Sequence, residues 1–182
     1  MKIVIDHLNQ QIGDDVYTER LCLAEKIQKG EQQFPAVRNG NDFDKIDLDK
    51  KDGIGYWRKI ADVTLDKADS IYSCGISYTT SIPLRFVGFV KREKLPSPDQ
   101  YTDDKLCQTI ISRITTNSNL LRSALKAQKV EVLARSYTTD TEKIVREEYE
   151  EVQFKPRYAY SYIAIDVQLT ITTSNNCIPG LC

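Results

Sequence analysis

The sequence predicts an α+β fold: a mainly antiparallel sheet with two or three helices packed on one face, joined by long polar loops. Segments in which apolar and polar residues alternate recur along the chain, which is the pattern of half-buried strands. Two later segments instead repeat apolar residues every three or four positions, as amphipathic helices do. The 182 residues are therefore predicted to form a single domain, residues 1–182.

A helix and a hairpin are predicted first. Apolar residues at helical spacing precede Gly13, where the helix is expected to end. Residues 20–29 and 31–39 flank Gly30 as the two arms of a β-hairpin. Pro35 has no backbone N–H, so it is expected to place the second arm at a sheet edge or in a bulge.

Residues 39–55 are rich in Asp, Asn and Gly and are predicted to form a long polar loop that holds short strands. Its five aspartates suggest calcium, which binds oxygen ligands. An EF-hand loop starting at Asp47 fails, however. Lys51, Asp52 and Arg58 fall where a ligand, a glycine and a bidentate glutamate are needed. The loop is therefore predicted to be solvated and to bind no metal.

Two strands are predicted in the segment 71–93, separated by a turn or bulge at 81–83, because Pro83 cannot donate to a sheet ladder. The second of these strands, 84–90, is strongly apolar. Gly88 lies within it. A glycine inside a strand indicates either a bulge or a close approach of another group to the backbone.

A helix is predicted over 106–125, with Thr102 or Asp103 as its N-cap. The residues TTNSN at 115–119 are poor helix formers and are expected to kink the helix or split it in two. The apolar face predicted for packing on the sheet consists of Leu106, Cys107, Ile110, Ile111, Ile114, Leu121 and Leu125.

After a strand over 129–137, a short helix is predicted from 139 to 149. Thr139 and Glu142 have the spacing of a capping box, in which each side chain bonds a backbone N–H at the start of the helix. The carboxylates of this segment, Glu147 and Glu148 among them, are interpreted as a solvated, exposed face.

The last strand, residues 160–173, shows the most regular alternation in the chain. Its Ile, Val and Leu residues are predicted to cover the helix around 110–125. Its Asp, Gln and Thr residues are predicted to face something outside the domain. The strand is therefore expected to lie at or near a subunit boundary.

Three tyrosines share one face at the start of this strand. Such rings favour either packing on the sheet or a protein interface. The following segment, 174–182, is predicted to be a C-terminal tail that runs onto a neighbouring subunit. The residues predicted at a subunit interface are Tyr158, Tyr160, Tyr162, Cys177, Ile178 and Leu181.

Composition excludes a strongly basic nucleic-acid-binding domain, because 25 basic residues nearly balance 26 acidic ones. Neither a signal peptide nor an apolar run long enough to cross a bilayer is recognised, so no membrane partner is expected. The five cysteines are expected to be mostly free thiols, with Cys22 and Cys107 in the core. A disulfide between Cys177 and Cys182 is sterically possible, although packing of the tail is the favoured interpretation.

Catalytic, cofactor-binding and metal-binding residues are not predicted anywhere in the chain. His7 is the single histidine, and nothing in the sequence places a nucleophile or an orienting partner beside it, as nucleophilic catalysis requires. The Gly-rich stretch at 53–57 lacks the lysine and hydroxyl of a phosphate-binding loop. The expectation is a protein that is not an enzyme and holds no cofactor.

Four segments carry a resemblance to a known family. In their order along the chain, they resemble the small neck proteins of tailed bacteriophages, which are head–tail connector, tail-completion and tail-terminator ring proteins. The likeness includes those of crAss-like and other phages of Bacteroidetes. The segments are 24–41, 55–60, 73–90 and 160–171.

That resemblance implies a structural virion protein without catalysis, assembled in the host cytoplasm. Its copies would form a ring in the neck or tail, join portal and tail, and extend the DNA channel. The implied partners are other copies of the chain, the portal or adjacent ring proteins, and DNA that passes without sequence-specific binding. The loop at 39–55 and the connection at 92–104 are expected to reach neighbours. The alternative is a small cytoplasmic adaptor that binds proteins through its tyrosine-rich C-terminal strand.

Overall fold

The computed structural model describes residues 1–13, 16–17, 19–46, 52–68, 77–95, 102–116, 118–149 and 160–174. Its helices are α1 (Lys2–Ile12), α2 (Asp103–Thr116), α3 (Ser118–Ala124) and α4 (Thr141–Tyr149), with a short 3-10 turn at Arg92–Lys94. Its strands are β1 (Glu19–Lys29), β2 (Gln32–Asn39), β3 (Asp42–Lys45), β4 (Gly53–Lys59), β5 (Thr64–Ala68), β6 (Ser77–Lys91), β7 (Lys129–Thr138) and β8 (Tyr160–Ser174). The predicted α+β class is confirmed.

One sheet contains all eight of these strands, in the order β3-β2-β1-β4-β6-β8-β7. β5 also pairs with β6, beyond the point where β4 ends. The neighbours are antiparallel except for β1 and β4, which are parallel. The two longest strands, β6 and β8, pair along their whole length in an unbroken register. They form the centre of the molecule.

The two faces of the sheet carry separate apolar clusters. On the first face, α1, α2 and α3 pack against alternate residues of the central strands, such as Leu84, Phe86 and Ile165. This confirms the predicted packing of the apolar helix face onto the last strand. On the second face, α4 packs with Tyr56 and Phe89 among others. Three helices thus cover one face, as predicted, and a fourth covers part of the other.

Helix α1 is held to the sheet by a buried polar residue. Asn9 accepts a hydrogen bond from Trp57 Nε1 at 2.9 Å on its Oδ1 atom, and its Nδ2 donates to the Leu21 carbonyl at 3.2 Å. The helix ends at Gly13, as predicted, where φ is 86°. A left-handed φ at this point favours glycine.

Both strand prolines lie inside strands whose register continues through them. The prediction that Pro35 marks an edge or a bulge is wrong, because β2 lies between β1 and β3 with a regular register. The turn or bulge predicted near Pro83 is also wrong, since β6 continues through it. Pro83 O accepts from Ile60 N at 3.3 Å, in the gap between β4 and β5. β4 ends at Lys59, opposite Leu84, so Pro83 lies just beyond the last paired residue of β4.

Gly88 lies where a side chain closely approaches the backbone, which is one of the two predicted alternatives. Gly88 on β6 pairs with Gly55 on β4, and together they make room for the buried ring of Tyr17. A Cβ atom added at Gly88 would lie 2.3 Å from Tyr17 Oη, and one at Gly55 would lie 2.6 Å from Phe86 Cζ. Neither distance is compatible with a side chain at these positions.

The predicted loop at 39–55 is shorter than expected. β3 occupies Asp42–Lys45, which confirms a short strand there, and β4 begins at Gly53. Residues 47–51 lie outside the described residues, as do residues 96–101 of the connection at 92–104. Ser174 still belongs to β8, so the tail begins one residue later than predicted.

The helix boundaries agree with the predicted ones, except at the N-cap of α4. Thr102 Oγ1 accepts from Lys105 N at 3.2 Å and caps α2, as predicted. The end of α2 at Thr116 and the start of α3 two residues later confirm the split. α4 is capped by Asp140, whose Oδ1 accepts from Lys143 N at 3.1 Å, so the capping box at Thr139 is wrong. Among the described residues, none of the helices has the length and apolar character needed to cross a bilayer.

Candidate interaction surface

A row of polar residues crosses four strands on the face that α4 partly covers. Arg58 on β4 lies opposite Arg85 on β6, and Arg85 lies opposite Asp166 on β8. Asp166 in turn lies opposite Ser136 on β7. Residues directly opposite in antiparallel strands share a face, so two arginines stand side by side. Their like charges require nearby anions.

Helix α4 supplies those anions. Glu148 accepts two hydrogen bonds from Arg58, from Nη2 at 2.8 Å and from Nε at 3.0 Å, and a third from Tyr56 Oη at 3.3 Å. Glu147 accepts from Arg85 Nη1. We call Arg58, Arg85, Glu147, Glu148 and Asp166 the charge cluster; it joins α4 to the three central strands.

Glu148 is fully buried, which corrects its interpretation as an exposed, solvated carboxylate. A sequence signal existed for it. Glu148 lies at helical spacing from Ile144 and Val145, so it falls on the buried face of α4. A carboxylate on such a face needs a cationic partner. The sequence, however, does not identify Arg58, which is 90 positions away.

Arg85 and Asp166 stabilise each other's charged forms. Burial acts to raise the pKa of Asp166, but hydrogen bonds from Arg85 and Ser136, with the Arg85 charge, outweigh it and the pKa is lowered. Arg85 Nε and Nη2 donate to the two Asp166 carboxylate oxygens at 2.6 and 3.1 Å. That hydrogen bond, opposed by burial, raises the pKa of Arg85. Paired ions of this kind fix geometry rather than transfer protons.

The charge cluster has a structural role, because its ion pairs attach α4 to the sheet. Its carboxylates are engaged by arginines, and the neighbouring hydroxyl, Ser136 Oγ, donates to Asp166 Oδ2 at 2.9 Å. Within the described ranges, no group of three His, Cys, Asp or Glu side chains could hold a metal ion. The arrangement can position α4 on the sheet.

Beyond the charge cluster, the same face becomes a half-buried surface of small polar residues, which we call the polar face. The hydroxyls of Thr79 on β6 and Thr172 on β8 share a hydrogen bond, with their Oγ1 atoms 3.3 Å apart. Gln168 bonds Ser81 and Arg135. None of these residues belongs to either apolar cluster. The polar face consists of Thr79, Ser81, Gln168, Thr170 and Thr172, and its β8 residues agree with the predicted outward side of that strand.

The tyrosines of β8 lie in the core. Tyr160 is 9% exposed and Tyr162 is 3% exposed, and their rings pack at 6.2 Å from each other. Tyr162 also packs edge-on against Phe89 at 5.2 Å. This corrects the interface prediction for both residues and agrees with the alternative of sheet packing. Tyr158, Cys177, Ile178 and Leu181 lie outside the described residues.

Exposed apolar side chains occur instead at the edges of the sheet. Ile60, Val63 and Leu65, which we call the edge segment, are 37%, 42% and 65% exposed at the start of β5. On β7, Leu133 is 45% exposed. An amphipathic pattern cannot reveal such residues, because they are apolar yet uncovered. They are the clearest candidates for contact with another chain.

The described cysteines differ from each other. Cys107 is buried, as predicted, and burial raises the pKa of its thiol to about 12. Cys22 is exposed, so its predicted place in the core is wrong. The prediction rested on its neighbours Leu21 and Leu23, but the register between β1 and β4 shifts between Arg20 and Leu23, so Cys22 lies in an irregular part of β1.

Comparison with the models of known protein families finds no match to this chain. Comparison with curated proteins finds no matching sequence either.

Proposed function

We propose that this chain is a non-enzymatic structural protein of a tailed-bacteriophage virion, assembled in the host cytoplasm. Its copies form a ring in the neck or tail, which joins the portal to the tail and extends the DNA channel. The proposal rests on the resemblance of four segments to neck proteins and on one structural observation, the exposed edge segment.

The edge segment supports contact between copies. Its three large apolar side chains lie within six residues of sequence, beside β5, whose described partner in the sheet is β6. Exposed apolar side chains gathered on a sheet edge favour pairing with another chain. A contact between this edge and a different surface of the next copy is heterologous, and such a contact closes into a ring when its rotation closes.

The charge balance is compatible with a channel. A net charge of −1 gives the chain no overall attraction for the phosphate backbone, since nonspecific binding of DNA depends on an excess of cationic side chains. DNA therefore slides past without being held. The adaptor alternative is less favoured, because two of the three tyrosines on its recognition strand, Tyr160 and Tyr162, are buried.

Electron microscopy of negatively stained protein at rising concentration tests the proposal. We expect rings from the wild-type chain and their loss in Leu65→Asp, which places a charge in the apolar contact. Leu120→Asp is the matched control, because Leu120 on α3 is also 65% exposed. Rings that persist in Leu65→Asp would reject the edge segment as the contact. A chain that forms no rings and binds neither portal nor tail proteins would refute the function.

A further inference from the structure

β7 ends the sheet among the described residues. An end strand directs the backbone N–H and C=O groups of alternate residues away from the sheet, where they can pair with another strand. Its side chains on the second face are a cation, an anion, an apolar residue and a cation in sequence: Lys129, Glu131, Leu133 and Arg135. Leu133, in the middle, is exposed although apolar.

We propose that two copies of this chain pair through β7 in antiparallel fashion, about a two-fold axis at Leu133. In this register Leu133 meets Leu133 of the second copy. Val132 then lies opposite Ala134, and Glu131 lies opposite Arg135, each contact occurring twice. Both copies use the same surface, so the contact is isologous and complete with two chains.

The order of charged residues along β7 favours a second copy of this chain as the partner. Glu131 and Arg135 are about 13 Å apart along their own strand, so they do not meet within one chain. Glu131 Oε1 instead lies 2.8 Å from Lys129 Nζ, an exposed pair, and Arg135 Nε donates to Gln168 at 2.7 Å. Two-fold pairing about Leu133 brings opposite charges face to face at both ends of the contact. A one-residue slip would remove these pairs.

A bulge in β7 leaves the Arg135 side chain on the face of Leu133. The register between β7 and β8 shifts between Ala134 and Ser136, so Arg135 is an additional residue in the strand. Its bond to Gln168 keeps its side chain on the face that Leu133 shares with Gln168. In a regular register Arg135 would lie opposite Asp166; the bulge puts Ser136 there instead, and Ser136 Oγ donates to Asp166.

This pairing does not depend on the proposed ring. It uses the β7 end of the sheet, whereas the ring contact uses the edge segment beside β5. A two-fold contact cannot by itself continue into a ring. The dimer is therefore a property of the free subunit, and either interaction can exist without the other.

Charge exchange tests the dimer, with sedimentation equilibrium of the full chain as the readout. Glu131→Arg places two arginines opposite each other, and Arg135→Glu places two glutamates opposite each other. We expect each single variant to weaken dimerisation about tenfold or more, because two attractive contacts become repulsive. The double variant, Glu131→Arg with Arg135→Glu, restores opposite charges and should return the dimerisation constant to near its wild-type value.

Two controls accompany these variants. Glu142→Arg reverses an exposed charge on α4, away from β7, and should leave dimerisation unchanged. Circular dichroism verifies that each variant is folded. A wild-type chain that stays monomeric up to its solubility limit would overturn the proposal. So would single variants that dimerise like the wild type, or a double variant no better than the single ones.

Discussion

Tyr17 carries a buried hydroxyl. Among the described residues its Oη has no hydrogen-bond partner, and burial raises the pKa of the phenol well above its ordinary value. The ring is needed to fill the space above Gly88, but the hydroxyl adds only an unpaired polar atom. A buried polar atom without a partner costs about 1–3 kcal/mol.

We therefore predict that Tyr17→Phe leaves stability unchanged or raises it by about 1 kcal/mol, measured as the free energy of unfolding in urea. Tyr56→Phe is the matched variant. Tyr56 is equally buried but donates to Glu148, so its loss should lower stability by about 1 kcal/mol. If both variants destabilise equally, Tyr17 Oη has a partner.

Asp166 links stability to pH. Its pKa in the folded chain lies below its ordinary value of about 3.9, so the folded state binds its proton less tightly than the unfolded chain does. The stabilisation is then complete above about pH 4 and is lost as the pH falls through the lowered pKa. Asp166→Asn should reduce stability at neutral pH and flatten its loss below about pH 4.

Urea unfolding of both proteins at neutral and acidic pH measures this effect. Asp66→Asn on the exposed strand β5 serves as the control for removing one carboxylate. Identical pH profiles for Asp166→Asn and the wild type would show that Arg85 does not stabilise the ionised carboxylate.

Helix α4 depends on the sheet through a buried ion pair. Removing one partner of a buried pair leaves the other without compensation, at a cost of about 3–5 kcal/mol. Glu148 is fully buried and Arg58 is partly exposed. We predict that Glu148→Leu lowers the free energy of unfolding by about 3 kcal/mol, near the lower limit of that range, because water can reach Arg58.

Glu142→Leu is the control on the same helix. Its pair with Arg146 is exposed and spans one helical turn, so its loss should cost about 0.5 kcal/mol or less. Chemical denaturation compares the two variants. Equal costs would mean that the Glu148 pair contributes no more than a surface pair.

At the scale of elements, β4 and β5 were not predicted, for different reasons. β4 is a central strand whose first five residues are all buried, so it shows no alternation. β5 is exposed along its described length and is held by pairing with β6, so it shows no apolar face. The last strand and α2 were predicted correctly because each has a continuous apolar face that packs in the first cluster.

At the scale of the whole molecule, we predict that the segment after β8 contributes to assembly rather than to folding. β8 completes its pairing with β6 at Ser174, and among the described residues both apolar clusters precede that point. We predict that deleting residues 175–182 leaves the free energy of unfolding within about 0.5 kcal/mol of the wild type. The same deletion should weaken ring formation, because this tail is predicted to reach a neighbour.

Denaturation and light scattering on the truncated chain check the two parts separately. Intact rings from the truncated chain would show that the tail makes no assembly contact. A large loss of stability would instead place the tail within the fold.

The sequence by itself determined the α+β class, the helix that ends at Gly13, the hairpin at Gly30 and the inward face of the last strand. Each of these follows from spacing or backbone chemistry within about 15 residues, which is information local to the chain. The tertiary structure alone decided which strands are neighbours, and hence that Arg58, Arg85 and Asp166 form one row. It also decided that α4 covers this row, which makes Glu148 a buried ion and removes Tyr160 and Tyr162 from the surface. Such contacts join positions as far as 90 residues apart, and no local pattern specifies them.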